Sequence, residues 1–238
     1  MTMDEKKKAI QEAIRIAGGK VKVIAGTGSN STKATVDFTR WAKEAGADGC
    51  LIVNPYYNRP SQEGLYLHCK AVSEVGLPVM LYNIPGRTAC HMSVDTAVRL
   101  SALPGIVAIK EATGSLDQAT ETVLRAPGLT LLSGDDTLTL PLLSVGGAGT
   151  VSVISNLVPE KVVAMVGAAR GGDFATAMRI HQELYPLCKA MFVETNPVPI
   201  KYAMSKKGLM GGGVRLPLAR LAADSMAIVD AAVASVSV

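Results

Sequence analysis

One lysine in this chain stands where an amine can become a nucleophile. Lys110 closes an apolar run, Gly105-Ile106-Val107-Ala108-Ile109, and Glu111-Ala112-Thr113-Gly114 follows it. An ammonium on a buried strand is costly to keep charged, so burial lowers its pKa and frees the amine to attack a carbonyl. At the carboxyl end of a barrel strand such a lysine is a candidate Schiff-base nucleophile. The competing reading is a lysine that has left the strand and carries its amine to water on an aliphatic stem.

Other residues with chemical potential divide in the same way. Tyr56 and Tyr57 are either functional phenols or loop aromatics packed under a turn. Tyr82 ends an apolar run and is either a proton donor beside a reacting group or a strand residue with a satisfied hydroxyl. Arg87 is a carboxylate fork or a surface charge flanking a helix. Asp135 and Asp136 lack a third metal ligand nearby, so turn capping is the expectation. His68, His91 and His181 show no partner spacing, and Cys50, Cys69, Cys90 and Cys188 no metal spacing. The thiols read as packed side chains in a reducing, cytoplasmic setting, and no metal is expected.

The elements that must position these groups follow from the rhythm of the chain. At 238 residues, 48% hydrophobic and 18% charged, the chain is long and apolar enough for one large core. A net charge of +4, scattered except at Lys6-Lys7-Lys8 and Lys206-Lys207, argues against nucleic acid as a partner. The polar first twenty residues do not resemble a signal peptide, and no apolar stretch is long enough to span a membrane. Apolar runs at Val21–Ala25, Cys50–Val53, Val79–Tyr82, Ile106–Ile109, Leu129–Leu132 and Thr150–Ile154 alternate with amphipathic segments. The expected helices are Asp4–Ala17, Thr32–Ala45, Ser61–Val75, Ser115–Arg125, Pro141–Val145, Pro159–Arg170, Asp173–Glu194, Pro199–Lys207 and Leu216–Val236. Strands that are apolar throughout and alternate with helices mean a parallel α/β sheet. A closed parallel barrel uses about eight strand-helix units, whereas about six are legible here. The expectation is an incomplete TIM-type (β/α) barrel over residues 1–158. The last barrel helix and a C-terminal helical region follow over 159–238, within one structural domain. Strand edges at Val21–Ala25 and Thr150–Ile154 then need a cover.

Several blocks in order carry a resemblance. They are Val23-Ile24-Ala25-Gly26-Thr27-Gly28, Asn54-Pro55-Tyr56-Tyr57-Asn58-Arg59-Pro60 and Leu81-Tyr82-Asn83-Ile84-Pro85-Gly86-Arg87-Thr88. Ile109-Lys110-Glu111-Ala112-Thr113-Gly114, Ser133-Gly134-Asp135-Asp136, Glu194 to Lys201 and Arg215-Leu216-Pro217 complete the series. Together they resemble the dihydrodipicolinate synthase and N-acetylneuraminate lyase family of class I aldolases, with the tyrosine segments closer to the synthase branch. The resemblance implies that Lys110 forms an imine with pyruvate and that Tyr82 stands beside it and shuttles protons. It implies that Tyr57 reaches across a dimer interface and that Arg87 guides the carboxylate of aspartate semialdehyde. Val151 and Gly134 line the pyruvate pocket on the same basis. No cofactor or metal is implied, and a homodimer or homotetramer is. A non-catalytic homologue serving assembly or binding, and a sugar-acid aldolase, are the alternatives.

The resemblance departs at the front. Members of the family begin with a strand, a helix and a second strand ending in a Gly-Thr-Thr-Gly-Glu turn, which this sequence does not contain. Those threonines hold the pyruvate carboxylate and link the tyrosine relay, so impaired activity is the expectation from this sequence. A shortened form of a complete enzyme, a short homologue without aldolase activity and subunits that exchange elements are three readings of that front. Thr27 and Gly28 are a minor candidate for a substitute anion-binding turn. Of the Asn and Glu in the family's lysine-feedback site, Asn30 matches the first and Ala34 replaces the second.

Overall fold

In the computed structural model, which describes residues 1–236, helices and strands alternate from the first turn. Helix α1 (Met3–Ala17) precedes β1 (Ile24–Gly26), α2 (Thr32–Glu44), β2 (Gly49–Val53), α3 (Gln62–Ser73) and β3 (Val79–Asn83). A one-turn helix α4 (Pro85–Thr88), then α5 (Val94–Ser101), β4 (Ile106–Glu111), α6 (Leu116–Arg125) and β5 (Thr130–Ser133) follow. The chain continues with α7 (Thr139–Ser144), β6 (Gly149–Thr150), α8 (Pro159–Arg170), α9 (Phe174–Ala190), α10 (Val198–Lys206) and α11 (Ala223–Ser235). The six strands are neighbours in chain order in one sheet, and the pairs β1–β2, β2–β3 and β3–β4 are parallel. The chain divides into two compact units, Met1–Leu132 and Ser133–Val238.

In the first unit, serine punctuates the start of each longer helix that follows a strand. Ser31, Ser61, Ser93 and Ser115 accept a hydrogen bond from the amides of Ala34, Gly64, Thr96 and Gln118. Each cap satisfies an amide that the first helical turn leaves without a partner. Helix α1 starts with a reciprocal capping box between Thr2 and Glu5. Cys50, Ile52, Leu65, Val72, Val79, Leu81, Leu100 and Ile109 form a dry core between strands and helices. In the second unit Ile154, Leu184, Leu187, Met191 and Val229 centre a separate helical core.

Most expected elements lie within a few residues of their sequence bounds, and two expectations need correction. The run Thr150–Ile154 is not a strand throughout: β6 is confined to Gly149–Thr150, and Ile154–Asn156 forms a 3-10 turn. The cause is the buried Asp136 carboxylate, which accepts the amides of Val153 at 2.9 Å and Ile154 at 3.1 Å and so takes them from any ladder. The helix expected from Leu216 begins only at Ala223. Pro217 bars its preceding residue from helical geometry, and the amide of Ala222 is taken by Glu194 Oε1 at 2.9 Å. Helices α4 and α5 carried too short a pattern to be read. Strand β1 starts at Ile24, because the Val23 amide goes to the Asp48 carboxylate.

Gly28 lies where two backbones approach closely at the carboxyl end of the first unit's strands. A Cβ there would lie 2.4 Å from the backbone nitrogen of Val53. Neither backbone can yield without disturbing the β1–β2 ladder. Gly28→Ala is therefore expected to cost about 2 kcal/mol, the usual scale of overpacking. A lowered urea midpoint with an unchanged slope is the expected reading, and an unchanged midpoint contradicts it.

Candidate active site

The ladder between β3 and β4 sets the geometry of the lysine. Val79 pairs with Ile106, but Met80 pairs with Ala108, so Val107 is an extra residue in β4. Such a bulge changes which face the later side chains take. After it, Tyr82 pairs with Lys110 and Asn83 with Glu111. Lys110 is thus a strand residue, half-buried, and its Nζ lies 4.0 Å from the centroid of the Tyr82 ring. The amine has not left the strand for open water. Burial pushes the Tyr82 phenol above its ordinary pKa, and the positive charge of Arg87 partly offsets that rise. A protonated phenol beside an amine can donate to an oxygen and then take a proton back.

Beneath this pair lies a buried polar layer with no direct signal in the residue pattern. The side chains of Asn54, Asn83 and Glu111 are all about 2% exposed or less. Asn83 Nδ2 donates to the Met92 carbonyl at 2.9 Å, and Asn83 Oδ1 accepts the Met92 amide at 3.0 Å. Asn54 Nδ2 donates to Asn83 Oδ1 and to the Cys90 carbonyl, each at 3.2 Å. Glu111 accepts the Thr113 amide at 2.6 Å and Gln118 Nε2 at 3.3 Å. Gln118 Oε1 lies 2.6 Å from His91 Nε2. Burial raises the Glu111 carboxyl above its usual range, and hydrogen bonds from Thr113 counter it. The only sequence hint was placement: an Asn and a Glu immediately after the two strand-end residues that could do chemistry.

The remaining candidates of the first unit sit at the exits of the same strands. Arg87 is exposed on α4, within electrostatic reach of Tyr82. Tyr57 is 90% exposed and holds a left-handed φ of 74°. A bulky side chain rarely adopts that conformation, which costs about 1–3 kcal/mol. Tyr56 beside it is 42% exposed, so neither ring is packed under the turn. Thr27 does not present an anion-binding hydroxyl, because its side chain is buried with Oγ1 2.8 Å from Thr39 Oγ1.

In the second unit, Gly134 and Val151 flank a pair of hydrogen bonds at the end of β5. The Val151 amide donates to the Ser133 carbonyl at 2.8 Å, and Thr150 Oγ1 donates to the same oxygen at 3.2 Å. Asp135 caps the turn after Gly134 through the amide and hydroxyl of Thr137 at 2.9 and 2.8 Å. Asp136 holds the backbone after Val151, as described above. Asp135 is occupied by its own turn and Asp136 by the amides of Val153 and Ile154, and no cluster of three or more metal-ligating groups occurs among the described residues.

The model of the Dihydrodipicolinate synthetase family matches residues 1–235. A 4-hydroxy-tetrahydrodipicolinate synthase of Heliobacterium modesticaldum is 52% identical over 220 residues, which is 92% of this chain and 73% of that protein. The solved 4-hydroxy-tetrahydrodipicolinate synthase of Methylacidiphilum fumariolicum SolV superposes with a TM-score of 0.97 at 43% identity, over 99% of this chain and 79% of its own. A dihydrodipicolinate synthase characterised as the first monomeric variant gives a TM-score of 0.96 at 38% identity, over 98% of this chain and 80% of its own. No described helix is long and apolar enough to cross a membrane.

The cysteines do not compete with Lys110 as nucleophiles. All four are buried. Burial pushes the Cys50 thiol up to about 11 and those of Cys69 and Cys188 up to about 12. The thiolate is the reactive form, so native protein at pH 8 should react with Ellman's reagent far more slowly than a free thiol. All four thiols should titrate at once in guanidinium chloride; rapid native labelling of Cys50, Cys69 or Cys188 contradicts the assignment.

Proposed function

The chain belongs to the dihydrodipicolinate synthetase family, and on that premise we propose that it is a Schiff-base lyase that condenses pyruvate with aspartate semialdehyde. The observation that carries the reading is the contact of Lys110 Nζ with the Tyr82 ring at the exit of two paired parallel strands. That end of a parallel α/β sheet is where ligands bind. The strands are read as part of a TIM-type barrel, with about six of its eight strand-helix units in this chain and helices beyond them.

The steps follow from residue chemistry. The Lys110 amine adds to the ketone carbon of pyruvate, and the Tyr82 phenol protonates the departing hydroxyl, so water leaves and an imine remains. Protonated imine withdraws electrons and acidifies the adjacent methyl group. The phenolate left on Tyr82 takes a methyl proton to give an enamine, whose carbon attacks the aldehyde of the second substrate while the re-formed phenol protonates the aldehyde oxygen. Tyr82 then serves the proton transfers of ring closure, in which the substrate's own amine displaces Lys110 from the former ketone carbon. Arg87, a planar guanidinium exposed at the exit of β3, is assigned the carboxylate of aspartate semialdehyde. Gly134 and Val151 are assigned to the pyruvate pocket through backbone and apolar contacts. The side chains named here are enough to move the protons in these steps, and the mechanism draws on no cofactor.

Tyr57 is assigned to a neighbouring subunit's site in a homodimer or homotetramer. Its exposure and left-handed backbone support a side chain held out for a partner. Four free, buried thiols fit a reducing cytoplasm. A purely non-catalytic assembly role is disfavoured, because it leaves the amine-phenol pair without a purpose.

Incubation with pyruvate and borohydride, followed by intact mass and peptide mapping, should place a reduced adduct on Lys110. Lys110→Ala should carry none and lose at least about three orders of magnitude in turnover. Tyr82→Phe should keep the fold and lose a factor of about 10² to 10⁴ in kcat. A folded native protein without adduct overturns the function proposed.

A further inference from the structure

The lysine and the phenol must keep one separation through several steps, yet both project from strand ends, where ladders fray. Among the buried groups that the mechanism leaves unused, one lies directly behind the nucleophile. Glu111 is the next residue of β4, projects from the opposite face and is 2% exposed. A carboxylate there is costly unless it performs a structural task.

Its contacts define that task. One oxygen takes the Thr113 amide at 2.6 Å and fixes the turn that follows the strand. The other takes Gln118 Nε2 at 3.3 Å and joins the strand end to the first turn of α6. The same Gln118 amide nitrogen also lies 3.4 Å from the Met92 carbonyl. That carbonyl accepts Asn83 Nδ2, and Asn83 is the neighbour of Tyr82 in the chain. The Asn83 carbonyl in turn receives the Ala112 amide at 3.0 Å, closing the circuit across the two strands. The residue after each reactive side chain, Asn83 after Tyr82 and Glu111 after Lys110, is therefore tied to Met92, the first directly and the second through Gln118.

We propose that Glu111 is a positioning residue for Lys110: its buried carboxylate clamps the exit of β4 through Thr113 and Gln118 and so holds the amine against the Tyr82 ring. The inference rests on the function proposed above. Glu111 touches neither substrate nor reacting atoms. Its removal frees the last two residues of the strand and lets the amine drift, and a displacement of about 1 Å can lower a rate by about 10²-fold.

The test compares Glu111→Leu, Glu111→Gln and Gln118→Leu with wild type in the full chain. The readouts are the rate of borohydride-trapped adduct with pyruvate, kcat and pyruvate KM in a coupled assay, and thermal unfolding. Glu111→Leu should lower trapping and kcat by about 10²-fold with KM within about threefold. Glu111→Gln keeps an oxygen for the Thr113 amide but turns a donor toward Gln118 Nε2, so it should recover only to the level of Gln118→Leu, about tenfold below wild type. Gln118→Leu should fall about tenfold. Equal loss in Glu111→Gln and Glu111→Leu overturns the proposal, because charge rather than position then matters. Wild-type trapping in a folded Glu111→Leu protein also overturns it. If Glu111→Leu does not fold, Gln118→Leu decides, and unchanged trapping rejects the clamp. Absence of an adduct in wild type removes the lyase reading alone. In that event a crystal structure of Gln118→Leu settles the clamp: an amine still over the Tyr82 ring overturns it, and a displaced amine supports it.

Discussion

An amine held against an aromatic face, at the edge of water but not in it, is the constraint on which the first unit is organised. Nζ of Lys110 lies 4.0 Å from the ring centre of Tyr82. Neither side chain can be brought there by local sequence alone. Parallel strands give adjacency without a hairpin, and the helices between them lie outside the sheet. The carboxyl ends are left free for loops, which is why the tyrosine, the arginine and the lysine all occur at the exit of a strand.

A reactive pair on strand ends needs stiffness behind it, and apolar packing supplies little directional restraint there. The buried layer of Asn54, Asn83 and Glu111 supplies it through hydrogen bonds of fixed geometry. Satisfied polar groups in a low-dielectric interior resist displacement, because each broken bond leaves an uncompensated group. The second unit repeats the device with a different residue. Asp136 binds the amides of Val153 and Ile154 and arrests the strand after two residues. In both cases a buried carboxylate accepts at least one backbone amide just beyond a strand.

Much of the scaffold was legible because burial imposes periodicity. Continuous apolar runs announced the strands, and amphipathic spacing announced α2, α3 and α6. The adjacency of Lys110 and Tyr82 came from the family resemblance, not from the pattern of the runs, and the strand register pairs the two residues. What escaped were features decided by partners distant in sequence. The end of β6 depends on an aspartate 17 residues earlier, and the start of α11 on a glutamate 28 residues earlier. The helix α5 has only eight residues, too few to stand out from the loop around it. Asn83 and Glu111 looked like ordinary turn residues because nothing in a linear pattern marks two polar side chains as neighbours on the hidden face of a sheet. Tyr57 is a different case: its ring stands in the open, and its assigned role belongs to contacts beyond one chain.

The bulge at Val107 works as a parity correction. Were Val107 paired in the ladder instead of bulged from it, a count anchored at Val79 and Ile106 would bring Tyr82 to Ile109 and Asn83 to Lys110. The amine would then point into the dry polar stratum, and a hydrocarbon would face the phenol. Val107 is 45% exposed, so the spare residue is parked on the outside, where a slip of one costs least. The reactive end of the strand is thereby uncoupled from the counting of its buried beginning, and length changes upstream can be absorbed at that point before they invert the two faces.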